Sequence, residues 1–238
     1  TVDATLTEPP QITFTLTSVT DASCNGSADG SIQVAVVNGD FPFSYLWNNG
    51  QTTNPATALA ANTYTVTVTD DDGCTADTSY AVGEPPAISV SVTASTPTLC
   101  FGSSDGTANA AALGGSSPYY FTWDNTETGD YAQALDAGNH TVTVTDDNGC
   151  TATNTVNIIE PTQLTANITA QTDANCYGGA DGSATVTAAN ATPPYLYMWS
   201  NGETNITTST LSANSYSVTV TDNNNCFVVT SVTIGQPT

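Results

Sequence analysis

The chain has 238 residues, 22 of them Asp or Glu, with no lysine or arginine and a single histidine. Without side-chain cations it cannot neutralise a nucleic-acid backbone, grip phosphate through side chains or hold an anionic lipid surface. No apolar run approaches the roughly 20 residues that a membrane helix needs, so neither nucleic acid nor membrane insertion is expected.

Cys24, Cys100 and Cys176 stand 76 residues apart, as do Trp47, Trp123 and Trp199, and Cys74, Cys150 and Cys226. Ungapped repetition at this length reads as tandem domains that each bury a core, rather than as solenoid coils. Residues 1–9 align with 77–85 and read as the last strand of a preceding repeat, followed by β-sandwich repeats at 10–85, 86–161 and 162–237. On this reading the chain is a slice from the interior of a longer array.

Within the first repeat, period-two alternation sets Ile12, Phe14 and Leu16 inward on a strand near 11–18, and Ile32, Val34 and Val36 inward near 31–37. Phe43, Tyr45 and Trp47 share a face of a strand near 43–48, and further strands fall near 51–59, 63–69 and 74–82. "NNG" after Trp47, "AAN" before Thr63 and "DDDG" before Cys74 punctuate the turns. The expected fold is all-β: tandem immunoglobulin-like antiparallel β-sandwich repeats of 76 residues, six or seven strands each, forming an elongated rod. Six alternating strands would return both ends of a repeat to one side, which a rod forbids, so an additional pass is expected in 19–30. The linkers, "GEPP" at 83–86 and "EPT" at 160–162, are short and stiffened by proline. Each repeat should add roughly 35 to 45 Å.

Six cysteines, two per repeat and 50 residues apart, lack a C-x-x-C pattern or histidines in register, which argues against zinc. Cys24, Cys74, Cys100, Cys150, Cys176 and Cys226 are therefore expected in structural disulfides of an oxidising compartment. Two pairings tile the sequence. One closes a bridge inside each repeat, as Cys24 with Cys74; the other spans the linkers, as Cys74 with Cys100 and Cys150 with Cys176. Strand parity favours the in-repeat bridge.

Asp29, Asp105 and Asp181 follow the first cysteine of each repeat, and Asp70, Asp146 and Asp222 precede the second. Turn chemistry accounts for both sets, with φ above zero expected at Gly73, Gly149 and Asn225. The second reading is calcium, because an in-repeat bridge would draw the two loops together and Ca2+ favours clustered carboxylates and carbonyls. Trp47, Trp123 and Trp199 are expected in the cores, against an exposed aromatic strip that stacks on sugars. His140 stands in the register of Tyr64 and Tyr216 and reads as their packing substitute, while the sequons at Asn139, Asn167 and Asn205 read as chance in an Asn- and Thr-rich chain. No acid–base pair or activated nucleophile is arranged, so no enzyme is expected.

The runs "CNGSADGSIQV", "FPFSYLWNNGQTT" and "LAANTYTVTVTDDDGCTA" closely resemble the SprB repeat of gliding-motility adhesins in Bacteroidetes. The resemblance continues through "CFGSSDGTANA" with "LDAGNHTVTVTDDNGCTA", and "CYGGADGSATV" with "LSANSYSVTVTDNNNC". Thr126 for glycine, His140 for tyrosine and Asn225 for glycine are the departures. The family resemblance implies a very large type IX-secreted protein, extracellular on the outer-membrane surface, that adheres to the substratum while gliding machinery moves it through other parts of the protein. It carries no catalytic residues to transfer. The function it implies is a structural shaft that transmits force, with neighbouring repeats of the same chain as partners. The alternative is a multivalent array that binds extracellular polysaccharide.

Overall fold

The structure is a computed structural model that describes residue 8 and residues 10–238. The strand expected at 1–9 lies outside the described residues. Among the described residues there are strands and no helix. The first repeat holds β1 (Thr13–Thr20), β2 (Gly30–Asn38), β3 (Ser44–Trp47), β4 (Ala56–Leu59), β5 (Asn62–Thr69) and β6 (Thr75–Val82). The second holds β7 (Ser89–Thr96), β8 (Gly106–Leu113), β9 (Tyr120–Trp123), β10 (Tyr131–Leu135), β11 (Gly138–Thr145) and β12 (Thr151–Ile158). The third holds β13 (Thr165–Thr172), β14 (Gly182–Ala189), β15 (Leu196–Trp199), β16 (Thr207–Leu211), β17 (Asn214–Thr221) and β18 (Phe227–Ile234).

Each repeat folds its six strands into two three-stranded antiparallel sheets. In the first, the orders are β1-β2-β4 and β3-β5-β6, and the same orders recur in the other two. The second strand pairs with the fourth and the third with the fifth, so the chain changes sheets between neighbours in sequence, as in an immunoglobulin-like sandwich. By contact the chain divides into two compact units. One comprises the first repeat with 111–121 and 143–153; the other comprises 92–110, 122–142 and the third repeat, so the middle repeat contributes to both.

Alternation along β5 explains the core. Tyr64, Val66 and Val68 face inward and are buried, while Thr63, Thr65, Thr67 and Thr69 face outward. With Ile32, Val34, Trp47, Ala56, Leu59 and Val82 they form the first core; Val186, Trp199, Leu211, Val218, Val220 and Ile234 centre the third.

The direction of the strands corrects one expectation. β1 and β4 both run antiparallel to β2, and β3 and β6 both run antiparallel to β5. Two residues, Ala60 and Ala61, turn β4 into β5, so β3, β4 and β6 all run in the direction of β1. β3 and β4 can follow one another in the same direction only if residues 48–55 travel back along the sandwich between them. The expected strand at 51–59 is therefore shorter, starting at Ala56, and the additional pass falls in 48–55 rather than in 19–30. With seven passes the chain enters the first repeat at one end, here termed leading, and leaves at the other, the trailing end. The third repeat has the same strand directions, with 200–206 as its returning segment.

Candidate functional site: the joint between repeats

The returning segment is held by the tryptophan that recurs in each repeat and by side-chain amides. Trp47 is 1% exposed, and its Nε1 donates to Thr53 O at 2.9 Å. Trp123 donates to Gly129 O at 3.0 Å and Trp199 to Asn205 O at 2.9 Å. In the first repeat Asn54 acts as a surrogate strand residue: its Oδ1 accepts from Val34 N at 3.1 Å and its Nδ2 donates to Val34 O at 2.7 Å. All three indoles are in the cores, which removes them as a sugar-stacking strip.

That extra pass decides where the cysteines lie. Cys24 sits between β1 and β2 at the trailing end of the first repeat, and Cys74 between β5 and β6 at its leading end. Neither expected pairing is formed. Cys24 bonds Cys150 and Cys100 bonds Cys226, with Cα separations of 5.7 and 5.6 Å. Cys74 and Cys176 are free and exposed. The in-repeat bridge fails because an odd number of passes separates its two cysteines. Instead, each trailing-end cysteine meets the leading-end cysteine of the following repeat, 126 residues on.

Around the first bond, which lies within one compact unit, the linker is clamped from both sides. On the trailing side Ala22 N donates to Gly83 O at 2.9 Å, Gly83 N donates to Asp21 Oδ1 at 2.7 Å, and Gly26 N donates to Glu84 Oε2 at 2.6 Å. Gly26 has φ of +77° with open space around it, so backbone conformation is what requires glycine there. On the leading side of the next repeat, Gly115 N donates to Pro86 O at 2.8 Å, and Asn148 Nδ2 donates to Ser23 O at 2.9 Å. The second joint, within the other unit, repeats this: Thr98 N to Ile159 O at 3.1 Å, Gly102 N to Glu160 Oε2 at 2.7 Å, and Asn224 Nδ2 to Leu99 O at 3.3 Å.

The six aspartates build the loops that carry the cysteines. Asp146 is buried; its Oδ1 accepts from Asn148 N at 3.0 Å and Cys150 N at 2.8 Å, and its Oδ2 from Ser116 N at 2.8 Å. Burial would raise its pKa, but these backbone donors, Ser116 N–H first, hold the carboxyl below its ordinary value. Asp222 accepts likewise from Asn224, Cys226 and Thr192, and Asp70 accepts from Cys74 N. Gly73 and Gly149 at +82° and Asn225 at +66° give these turns their left-handed residue.

In the other set, Asp29 accepts from Ser23 Oγ and N, Asp105 from Ser103 Oγ and Leu99 N, and Asp181 from Asn175 N and Nδ2. These bonds lower all three carboxyl pKa values: Ser23 Oγ leads for Asp29, Ser103 Oγ for Asp105 and the Asn175 backbone for Asp181. The calcium reading does not fit this arrangement. Its premise was an in-repeat bridge, each of the six carboxylates already accepts from N–H or O–H donors on at least one oxygen, and no three His, Cys, Asp or Glu side chains converge among the described residues.

Sequence reasoning missed Glu84, Glu160 and Gln236, and Asn148 and Asn224. The signal was present: the first three recur at a 76-residue interval directly before a proline, and the asparagines stand two residues before a cysteine.

The SprB repeat family matches the chain three times, at residues 16–52, 89–128 and 168–204. No curated protein matches it. Among solved structures, the chain is similar to three N-terminal domains of the highly immunogenic outer capsid protein of bacteriophage RB49, at 13% identity and a TM-score of 0.40 over 95% of this chain and 100% of that one. It is also similar to the N-terminal eight immunoglobulin domains of Down syndrome cell adhesion molecule, at 11% identity and TM-score 0.37 over 97% and 46%. A third is the C-terminal fragment of intimin in complex with the intimin-binding domain of its translocated receptor, at 17% and 0.35 over 71% and 70%. Three family matches, one in each of the three repeated sandwiches, show that the chain carries SprB repeats.

Proposed function

We propose that the chain is a structural segment of a large cell-surface adhesin, a shaft that extends the adhesin and carries tension in bacterial adhesion and gliding. SprB repeats and tandem immunoglobulin-like sandwiches support an adhesin-type structural region, and disulfides suit an extracellular setting. Display at the outer-membrane surface, type IX secretion and the gliding machinery as a partner rest on the family resemblance. The domain bounds 10–85, 86–161 and 162–237 are the units of this shaft.

The observation that carries the reading is that a disulfide crosses each of the two joints. Beside the peptide linker there is a second covalent connection, so a pull on one repeat reaches the next without depending on the joint's hydrogen bonds. With both bonds closed, the shortest covalent route between the chain ends runs from 1 to 24, back from 150 to 100 and on from 226 to 238, and omits 25–99 and 151–225. Pulling single molecules from their ends tests this. Reduction should lengthen the fully extended chain by roughly 520 Å, the reach of the about 150 residues in those two segments at about 3.5 Å each. Equal extension with and without reductant would contradict the shaft, and saturable polysaccharide binding by the reduced chain would favour the multivalent array.

A further inference from the structure

We propose that the trailing face around Cys176 and the leading face around Cys74 are open halves of the same joint, each built to take a further repeat of this kind end to end and then to close a disulfide. The inference extends the shaft reading, but its test reads only which cysteines pair, so it can fail while the tension-carrying joints stand.

The trailing face of the third repeat is already built without an occupant. Ala174 N donates to Gly235 O at 3.0 Å, Gly235 N to Asp173 Oδ1 at 2.9 Å, and Gly178 N to Gln236 Oε1 at 2.8 Å. Asp181 holds the loop through Asn175 N at 3.0 Å, as Asp29 does through Ser23 N at 2.9 Å. These are the clamps that, in the first two repeats, face a docked neighbour. Preorganisation of this kind lowers the ordering cost of binding.

What differs is exposure. Cys24 and Cys100 are half-buried under the following repeat, whereas Cys176 is exposed. Phe101, one residue past its bonded cysteine, borders the second joint beside Pro161 and Leu164 and is 51% exposed, and its counterpart Tyr177 is 78% exposed. At the leading face of the first repeat the cysteine turn is likewise formed. Asp70 Oδ1 accepts from Cys74 N at 2.8 Å, and Asp71 N donates to Asp40 O at 3.0 Å, as Asp147 N does to Ser116 O at 2.9 Å. Cys74 is exposed where its equivalent Cys150 is buried. What covers these faces elsewhere in the chain is the opposite end of another repeat, and the occupant available in a pure sample is a second copy. Such a trailing-to-leading contact is heterologous and propagates as a chain.

One residue weakens the open leading face. Asp72 stands where Asn148 and Asn224 donate to a carbonyl of the preceding repeat. A carboxylate cannot donate there, and it would meet Asn175 O, the corresponding acceptor.

Closure needs an oxidant, and a small-molecule disulfide such as oxidised glutathione supplies it. The Cys176 thiolate attacks the glutathione disulfide and expels one glutathione thiolate. Cys74 of the second copy then attacks the mixed disulfide and expels the other, so two protein thiols become one bond and one oxidised glutathione becomes two reduced ones.

The test uses the full chain in a glutathione redox buffer at moderate salt, read by non-reducing electrophoresis and mass spectrometry. The unmodified chain should form a ladder joined by Cys176–Cys74. Mixing Cys74→Ser with Cys176→Ser should stop it at a dimer, and either variant alone should stay monomeric. Asp72→Asn should raise the yield about fivefold, the worth of one net hydrogen bond. A chain beginning at Pro10 should give the same pairing. Dimers from a single variant, statistical pairing of the two cysteines, or no ladder from either chain length would overturn the proposal.

Discussion

Thr126 sits at φ of +72°, where the equivalent positions hold Gly50 at +87° and Gly202 at +91°. A β-branched side chain in this region crowds its own backbone, partly offset by the greater freedom that glycine gives the unfolded chain. Thr126→Gly should therefore stabilise the protein by roughly 0.5 to 1 kcal/mol, seen as a higher urea midpoint at unchanged slope. His140 is the other departure at this scale. Tyr64 Oη donates to Ala60 O at 3.0 Å, and His140 Nε2 makes the matching bond to Asp136 O at 3.0 Å, while Nδ1 lies 3.1 Å from Asp124 Oδ1. Burial opposes the imidazolium, but the Asp136 carbonyl and the Asp124 carboxylate outweigh it and raise the pKa above 6.5. Burial also opposes the Asp124 charge, yet the Thr141 N–H and His140 lower its pKa below 3.8. The pair's stabilisation is thus complete between 3.8 and 6.5; it is lost as pH rises through the raised histidine value and as pH falls through the lowered aspartate value. Thermal melts across pH should show that alkaline loss, and His140→Tyr should abolish it.

At the scale of the element, the segment between β3 and β4 determines how a repeat is wired. Trp47→Phe keeps most of the buried ring but leaves Thr53 O without its donor, and should cost about 2 to 3 kcal/mol in denaturant unfolding. An unchanged midpoint would mean that the indole bond does not hold the returning segment. The strands themselves were legible: alternation in "TYTVTVT" placed β5 and its inward Tyr64, Val66 and Val68 where they are found. The returning segment was not, because an extended stretch pinned by Asn54 and the Gln51 side chain has the same local pattern as a strand in a ladder. That one misreading inverted the parity and put Cys24 and Cys74 at the same end. Nor does a uniform period identify partners, since pairing inside a repeat, across a linker or with the repeat beyond all tile equally well. The six aspartates were legible as turn residues, and their alternative role depended on the inverted parity.

For the whole molecule, the two disulfides close overlapping loops, 24–150 and 100–226. A loop of 126 residues contributes about 5 kcal/mol by the chain-entropy model, and the second adds less because the loops share 101–149. The chain thereby gains continuity that its side chains cannot provide, since 22 acidic residues have only one histidine to pair with. The central claim is that covalent bonds run from repeat to repeat and none closes within one. It is tested most directly by digesting the non-reduced protein with a protease that cuts at acidic residues, trypsin having no site, and sequencing the cross-linked peptides. The account predicts peptides joining Cys24 to Cys150 and Cys100 to Cys226; peptides joining Cys24 to Cys74 or Cys100 to Cys150 would contradict it.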